Sequence, residues 1–176
     1  MAEDQRTEEV KYPANAVHLV RTTQLAHLQL SAMADQKASI LMAATFVIFT
    51  ITIGQSRGSM VPIPLLILGA SAFFSAVCAV LAVLPATRYK RAGGVNLLFF
   101  GSFTQLEEDD YLEQLTGRLR SEDAIYRTMA RDIYQNGIVL ARKKYRLLGY
   151  AYRIFLAGLI ASFIAFIVQY AIHGPF

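Results

Sequence analysis

Hydrophobic and polar positions fall along this chain in long blocks. Three stretches carry no Asp, Glu, Lys or Arg: residues 38–56, 58–87 and 154–176, of 19, 30 and 23 residues. About 20 apolar residues cross a bilayer as a helix, so the blocks predict spans at about 38–56, 61–86 and 154–172. Ahead of the first block the pattern is helical from Ala14, with Leu19, Val20, Leu28, Leu30 and Met33 set among polar residues. No breaker interrupts it, which predicts one helix from about Ala14 to Gly54, roughly 60 Å long at 1.5 Å per residue. From Glu122 only Gly137 and Gly149 weaken the pattern, so a second continuous helix is expected as far as Ile172, roughly 75 Å. The fold class expected is all-α: an integral membrane protein with three transmembrane helices, two of them extended into long cytoplasmic helical arms.

Punctuation supplies the rest of the layout. Residues 1–13 read as a polar tail and Pro13 as a boundary. Residues 14–172 read as a single helical membrane domain, and 173–176 as an external tail. Gly54, Gln55, Ser56, Arg57, Gly58 and Ser59 make the turn between the first two spans, and Pro62 and Pro64 suit the first turn of the second. The polar segment 88–153 opens with Arg88, Tyr89, Lys90 and Arg91. Val95–Gly101 follows, too short to span and too apolar for an exposed loop, and is expected at the membrane interface or against neighbouring helices. Thr104 followed by Glu107 predicts a capping box. The run Glu107, Glu108, Asp109 and Asp110, and Ser121 before Glu122 and Asp123, predict two further helix starts.

Charge sets the expected orientation. Lys and Arg avoid translocated loops, and sixteen of the seventeen basic residues lie before the first span or between the second and third. Only Arg57 lies on the other side. The N-terminus and 88–153 are therefore expected in the cytoplasm, and in a bacterium the membrane is the inner one, because outer-membrane proteins are barrels. The N-terminus does not read as a cleaved signal peptide, since residues 1–37 hold nine charges. The chain has a net charge of +4, 55% apolar residues and a mean hydropathy of +0.38. With the basic residues clustered beside spans, anionic lipid is the expected partner and no nucleic acid is. Cys78, the sole cysteine, cannot form an internal disulfide.

No Walker loop, GxSxG, HExxH or CxxC occurs, so no enzyme, cofactor or metal motif is expected; the Glu107–Asp110 run could hold a divalent cation, and a charged helix start explains it equally well. His18 and His27, nine apart, fall on opposite helix faces rather than at metal-ligand spacing. Ala157, Ala161 and Ala165, with Gly158 and Ser162 beside them, and Gly69, Ala72, Ala76 and Ala79, form small-residue stripes that let helices approach closely. They suit packing within one chain or a homo-oligomer. Asp35 and Lys37 stand at the mouth of the first span, where the lysine can snorkel beside its acid or the pair can meet groups such as Arg131 or Asp132. Arg142, Lys143, Lys144 and Arg146 suit lipid headgroups or a phosphate-bearing ligand.

Ala34-Asp35-Gln36-Lys37-Ala38-Ser39-Ile40-Leu41 resembles the D-x-K-A-x-x-L lead into a span found in transmembrane effectors of the Pycsar anti-phage systems. Asn96-Leu97-Leu98-Phe99-Phe100-Gly101 is similar to that family too, as is Asp132-Ile133-Tyr134 followed by Leu140-Ala141 and Lys144-Tyr145. The likeness covers roughly 14–172. It implies a bacterial defence protein: a partner cyclase makes a cyclic pyrimidine mononucleotide on infection, and the effector impairs the inner membrane. Some such effectors carry a separate cyclic-nucleotide-binding domain, and nothing here has its run of short strands. A cyclic UMP or cyclic CMP ligand would then bind between the arms 14–37 and 88–153. Candidate contacts are Asp35, Lys37, Arg88, Arg91, Asn96, Arg131 and Asp132. The competing expectation is a constitutive membrane scaffold whose arms bind a cytoplasmic protein.

Overall fold

The structure is a computed structural model that describes residues 11–55, 61–85 and 95–174. Every element among them is helical: α1 (Ala16–Gln55), α2 (Ile63–Val83), α3 (Phe100–Phe103), α4 (Glu108–Arg118), α5 (Glu122–Val139), a π-helical turn (Leu140–Tyr145) and α6 (Arg146–His173). Helix α1 is unbroken over 40 residues. The run from Glu122 changes hydrogen-bonding pattern only at the π turn. Three helices are long and apolar enough to cross a membrane: α1, α2 and the 51-residue run Glu122–Ile172.

Helix α2 begins as its prolines require. Pro62 caps α2 and Pro64 sits in its first turn, where a missing N–H leaves no helical bond unmade. Glu108, Asp109 and Asp110 occupy the first turn of α4, and Glu122 and Asp123 that of α5. The expected Thr104–Glu107 capping box does not form. Thr104 closes α3 instead, its hydroxyl donating back to the Phe100 carbonyl at 2.6 Å, and the α4 N-cap is Glu107 with no side-chain cap bond. A four-residue apolar helix ahead of the acidic run takes the threonine for its own C-terminus. The turn residues Ser56, Arg57, Gly58 and Ser59, the basic run Arg88–Arg91 and most of the polar tail lie outside the described residues.

The described residues pack as two compact units, one from 11–29 with 85 and 95–139 and the other from 30–55 and 61–84 with 140–174. In the second unit α2 and α6 pack antiparallel through small residues. Gly69, Ala72, Ser75, Ala79 and Ala82 of α2 are buried, as are Ala151 and Gly158 of α6. A Cβ added at Gly158 would lie 2.1 Å from the Cβ of Ser71, so only glycine allows this approach. The α1 part of the unit buries Ala34, Ala38, Leu41 and Thr45, a stripe with steps of four, three and four residues. Two cross-helix hydrogen bonds reinforce the packing: Ser75 Oγ donates to the Ala151 carbonyl at 2.8 Å and Ser162 Oγ to the Pro64 carbonyl at 2.7 Å. Ala157 and Ala161, the heart of one predicted stripe, lie exposed beside the contact line rather than on it. Cys78 is a partly buried free thiol against the same core.

Candidate functional site

The first unit contains a buried polar network. Asn96 precedes α3 in a short turn and is only 2% exposed, as is Asp132 on α5. The Asn96 amide donates to Asp132 Oδ1 at 3.0 Å and to Gln135 Oε1 at 2.8 Å. Gln24 of α1 donates to the other Asp132 oxygen at 3.2 Å. The Asn96 side-chain oxygen accepts from the Leu98 N–H at 2.9 Å, and its own N–H donates to Ser102 Oγ at 2.9 Å. Both oxygens of a buried carboxylate are thus held by neutral amides, and no described cation lies within ion-pair distance of them. Burying a charge without a counter-ion is costly unless its oxygens are hydrogen-bonded, and the amides of Asn96 and Gln24 meet that need at Asp132, while Gln135 accepts from Asn96 and fixes its orientation.

Around this network the unit is polar and partly aromatic. His27, three residues beyond Gln24, is half-buried, its Nδ1 inaccessible and without a hydrogen-bond partner. Its ring lies 3.3 Å from where a Cβ at Gly137 would stand. Tyr12 stacks at a tilt on Tyr126 with centroids 4.6 Å apart, and donates its hydroxyl to Asp123 at 2.8 Å. Asp123 also accepts from Arg127 at 2.6 Å. The Arg127 guanidinium, then the Tyr12 hydroxyl, hold the Asp123 carboxyl below its ordinary range. The same bond to Asp123 pushes the Tyr12 phenol up.

The second unit holds a different cluster. Lys144, in the π turn, donates to both oxygens of Asp35 at 2.7 Å and to Ser31 Oγ at 2.8 Å. The ion pair is partly sheltered, with side-chain exposures of 19% for Lys144 and 42% for Asp35. Lys143 reaches the Leu84 carbonyl at the C-cap of α2 at 2.7 Å, where helix carbonyls lack intrahelical partners. Tyr145 donates to the Leu30 carbonyl and Tyr152 to the Lys37 carbonyl, at 3.2 and 3.1 Å.

The structure therefore joins Asn96 to Asp132 and places Asp35 in a separate cluster. Asp35 pairs with Lys144, not with Arg131 or Asp132: its acid meets the lysine presented by the turn of its own unit. Lys37 and Arg131 are exposed, and Arg88 and Arg91 lie outside the described residues. Of the four-residue basic run, Lys143 and Lys144 are engaged within the protein, while Arg142 and Arg146 are exposed. Gln24, Gln135, Ser31 and Lys144 were not legible as partners, because each acquires its role from a residue more than thirty positions away. The run Glu107–Asp110 is exposed, and no cluster of three or more His, Cys, Asp or Glu among the described residues could hold a metal ion.

Among the described residues the protein is all-helical, with three helices long and apolar enough to span a bilayer and close small-residue packing between two of them. The family of the Pycsar effector protein domain matches residues 18–170, nearly the whole chain, and the chain belongs to it. No curated protein and no solved structure matches. Membership makes this an effector of Pycsar anti-phage defence.

Proposed function

We propose that the chain is a non-enzymatic effector of the inner membrane that impairs membrane integrity when a cyclic pyrimidine nucleotide, cyclic UMP or cyclic CMP, is made in the cell. Family membership over residues 18–170, together with three membrane-competent helices, is the observation that carries this reading. The basic-residue asymmetry supports a cytoplasmic N-terminus and a cytoplasmic 88–153. The ligand site proposed rests on the first unit, where Asn96, Asp132, Gln24 and Gln135 supply amide donors and carboxylate and amide acceptors of the kind that read a base edge. Arg131 is exposed on the residue before Asp132, and Arg88 and Arg91 are the proposed phosphate contacts. Asp35 and Lys37 would act by holding the first span. A ligand shifts the protein only by binding one state better than the other, so exchange of these internal hydrogen bonds for bonds to the base is the proposed coupling.

The experiment is membrane depolarisation in cells expressing the chain, with and without a co-expressed cyclase making either nucleotide. Depolarisation only with nucleotide supports the reading. Its absence in cells with verified membrane insertion of the chain refutes it. The second reading, a constitutive scaffold for a cytoplasmic protein or a second copy, draws on Leu19, Leu25 and Leu28, which are 72%, 64% and 62% exposed on α1 ahead of its apolar stretch.

A further inference from the structure

The π turn Leu140–Tyr145 closes its ring one residue later than an α-helix does, and such turns are short, uncommon and often found at functional sites. Its effect can be read from the residues it places. Leu140, Leu148 and Ala151 are 9%, 4% and 0% exposed. In a straight α-helix, eight residues from Leu140 to Leu148 would rotate the side chains about 80° out of line. Taking up one residue in the wide turn leaves them about 20° apart, on one face of the helix, with Leu148 and Ala151 in the core against α1 and α2 and Leu140 buried outside that cluster. The turn is also the most heavily anchored part of the second unit. Lys143, Lys144 and Tyr145, three consecutive residues, reach Leu84 at the end of α2 and then Asp35, Ser31 and Leu30 of α1.

We propose that this turn is a one-residue register switch. Lys144 on Asp35 and Ser31 holds it in the wide form, and release of that anchor lets it close to an α-turn. Closing turns Leu140 off the face it shares with Leu148 and Ala151. The inference is separate from the nucleotide reading, because it concerns the turn whatever the trigger.

The test uses the full chain in inside-out membrane vesicles, with Cys78→Ser and a single Leu140→Cys or Leu148→Cys probed by a water-soluble maleimide. With Lys144 intact, or as Lys144→Arg, both thiols are expected to be protected. In Lys144→Met, Leu140→Cys is expected to lose protection and Leu148→Cys to keep it. Deleting the exposed Ala141 in that variant supplies the α register and is expected to restore protection at Leu140→Cys. Continued protection of Leu140→Cys in Lys144→Met overturns the switch. So does loss of protection at both thiols, which would make Lys144 a general support of the fold, and so does failure of the Ala141 deletion to restore protection.

Discussion

Alanine at position 158 (Gly158→Ala) puts a methyl carbon 1.9 Å from Ser71 Oγ and 2.1 Å from Ser71 Cβ. A rotamer change can remove the hydroxyl but not the Cβ. Ordinary contact begins at 3.4 Å, so the α2 and α6 backbones must part by up to 1.3 Å (3.4 less 2.1) along that line. That displacement loosens the neighbouring contacts at Ala72, Ser75 and Ala151, and stretches the bonds Ser75–Ala151 and Ser162–Pro64, now 2.8 and 2.7 Å. Overpacking of this kind costs about 1–3 kcal/mol. The assay is unfolding of the purified protein in mild detergent by titrated denaturing detergent, followed by helical circular dichroism. Gly158→Ala is expected to lower stability by that amount. Ser71→Ala keeps the offending Cβ and is expected not to rescue it. Ser71→Gly removes the Cβ, and in combination is expected to recover most of the loss beyond its own helix penalty of about 1 kcal/mol. A Gly158→Ala protein as stable as the parent, or equal rescue by Ser71→Ala and Ser71→Gly, would refute the close-packed α2–α6 interface.

Asp132→Ala removes the acceptor for Asn96 and Gln24 inside the first unit. It is expected to cost about 1–3 kcal/mol from the stranded donors, read as faster amide exchange over 122–139, while Asp132→Asn costs less. Asp123 has a depressed carboxyl pKa, so its contribution to the Tyr12–Asp123–Arg127 contact is present above the ordinary carboxylate range and lost as pH falls through the lowered value. The amide-exchange protection factors early in α5, which correct for the intrinsic slowing of exchange in acid, should therefore fall on acidification in the parent and show no such pH step in Asp123→Asn.

Each of these predictions turns on a pairing of distant residues, and there the legibility of the chain divides. Uncharged blocks marked the three membrane-competent helices by themselves, because such a helix needs only length and apolar side chains and satisfies its own backbone. Pro62, Pro64 and the acidic first turns placed helix starts for an equally local reason. The continuity of α1 from Ala16 to Gln55 followed from the lack of any breaker. Tertiary structure decided what no local rule reaches. Thr104 went to α3 rather than to a capping box, and Gly158 rather than Ala157 faced α2, since a stripe of small residues does not say which edge a neighbour will approach. Asp35 met Lys144, and Asn96 met Asp132, across 109 and 36 residues of chain. The π turn was likewise invisible, because which residues are buried, and so which register is needed, is settled only when Leu140 and Leu148 must share one face.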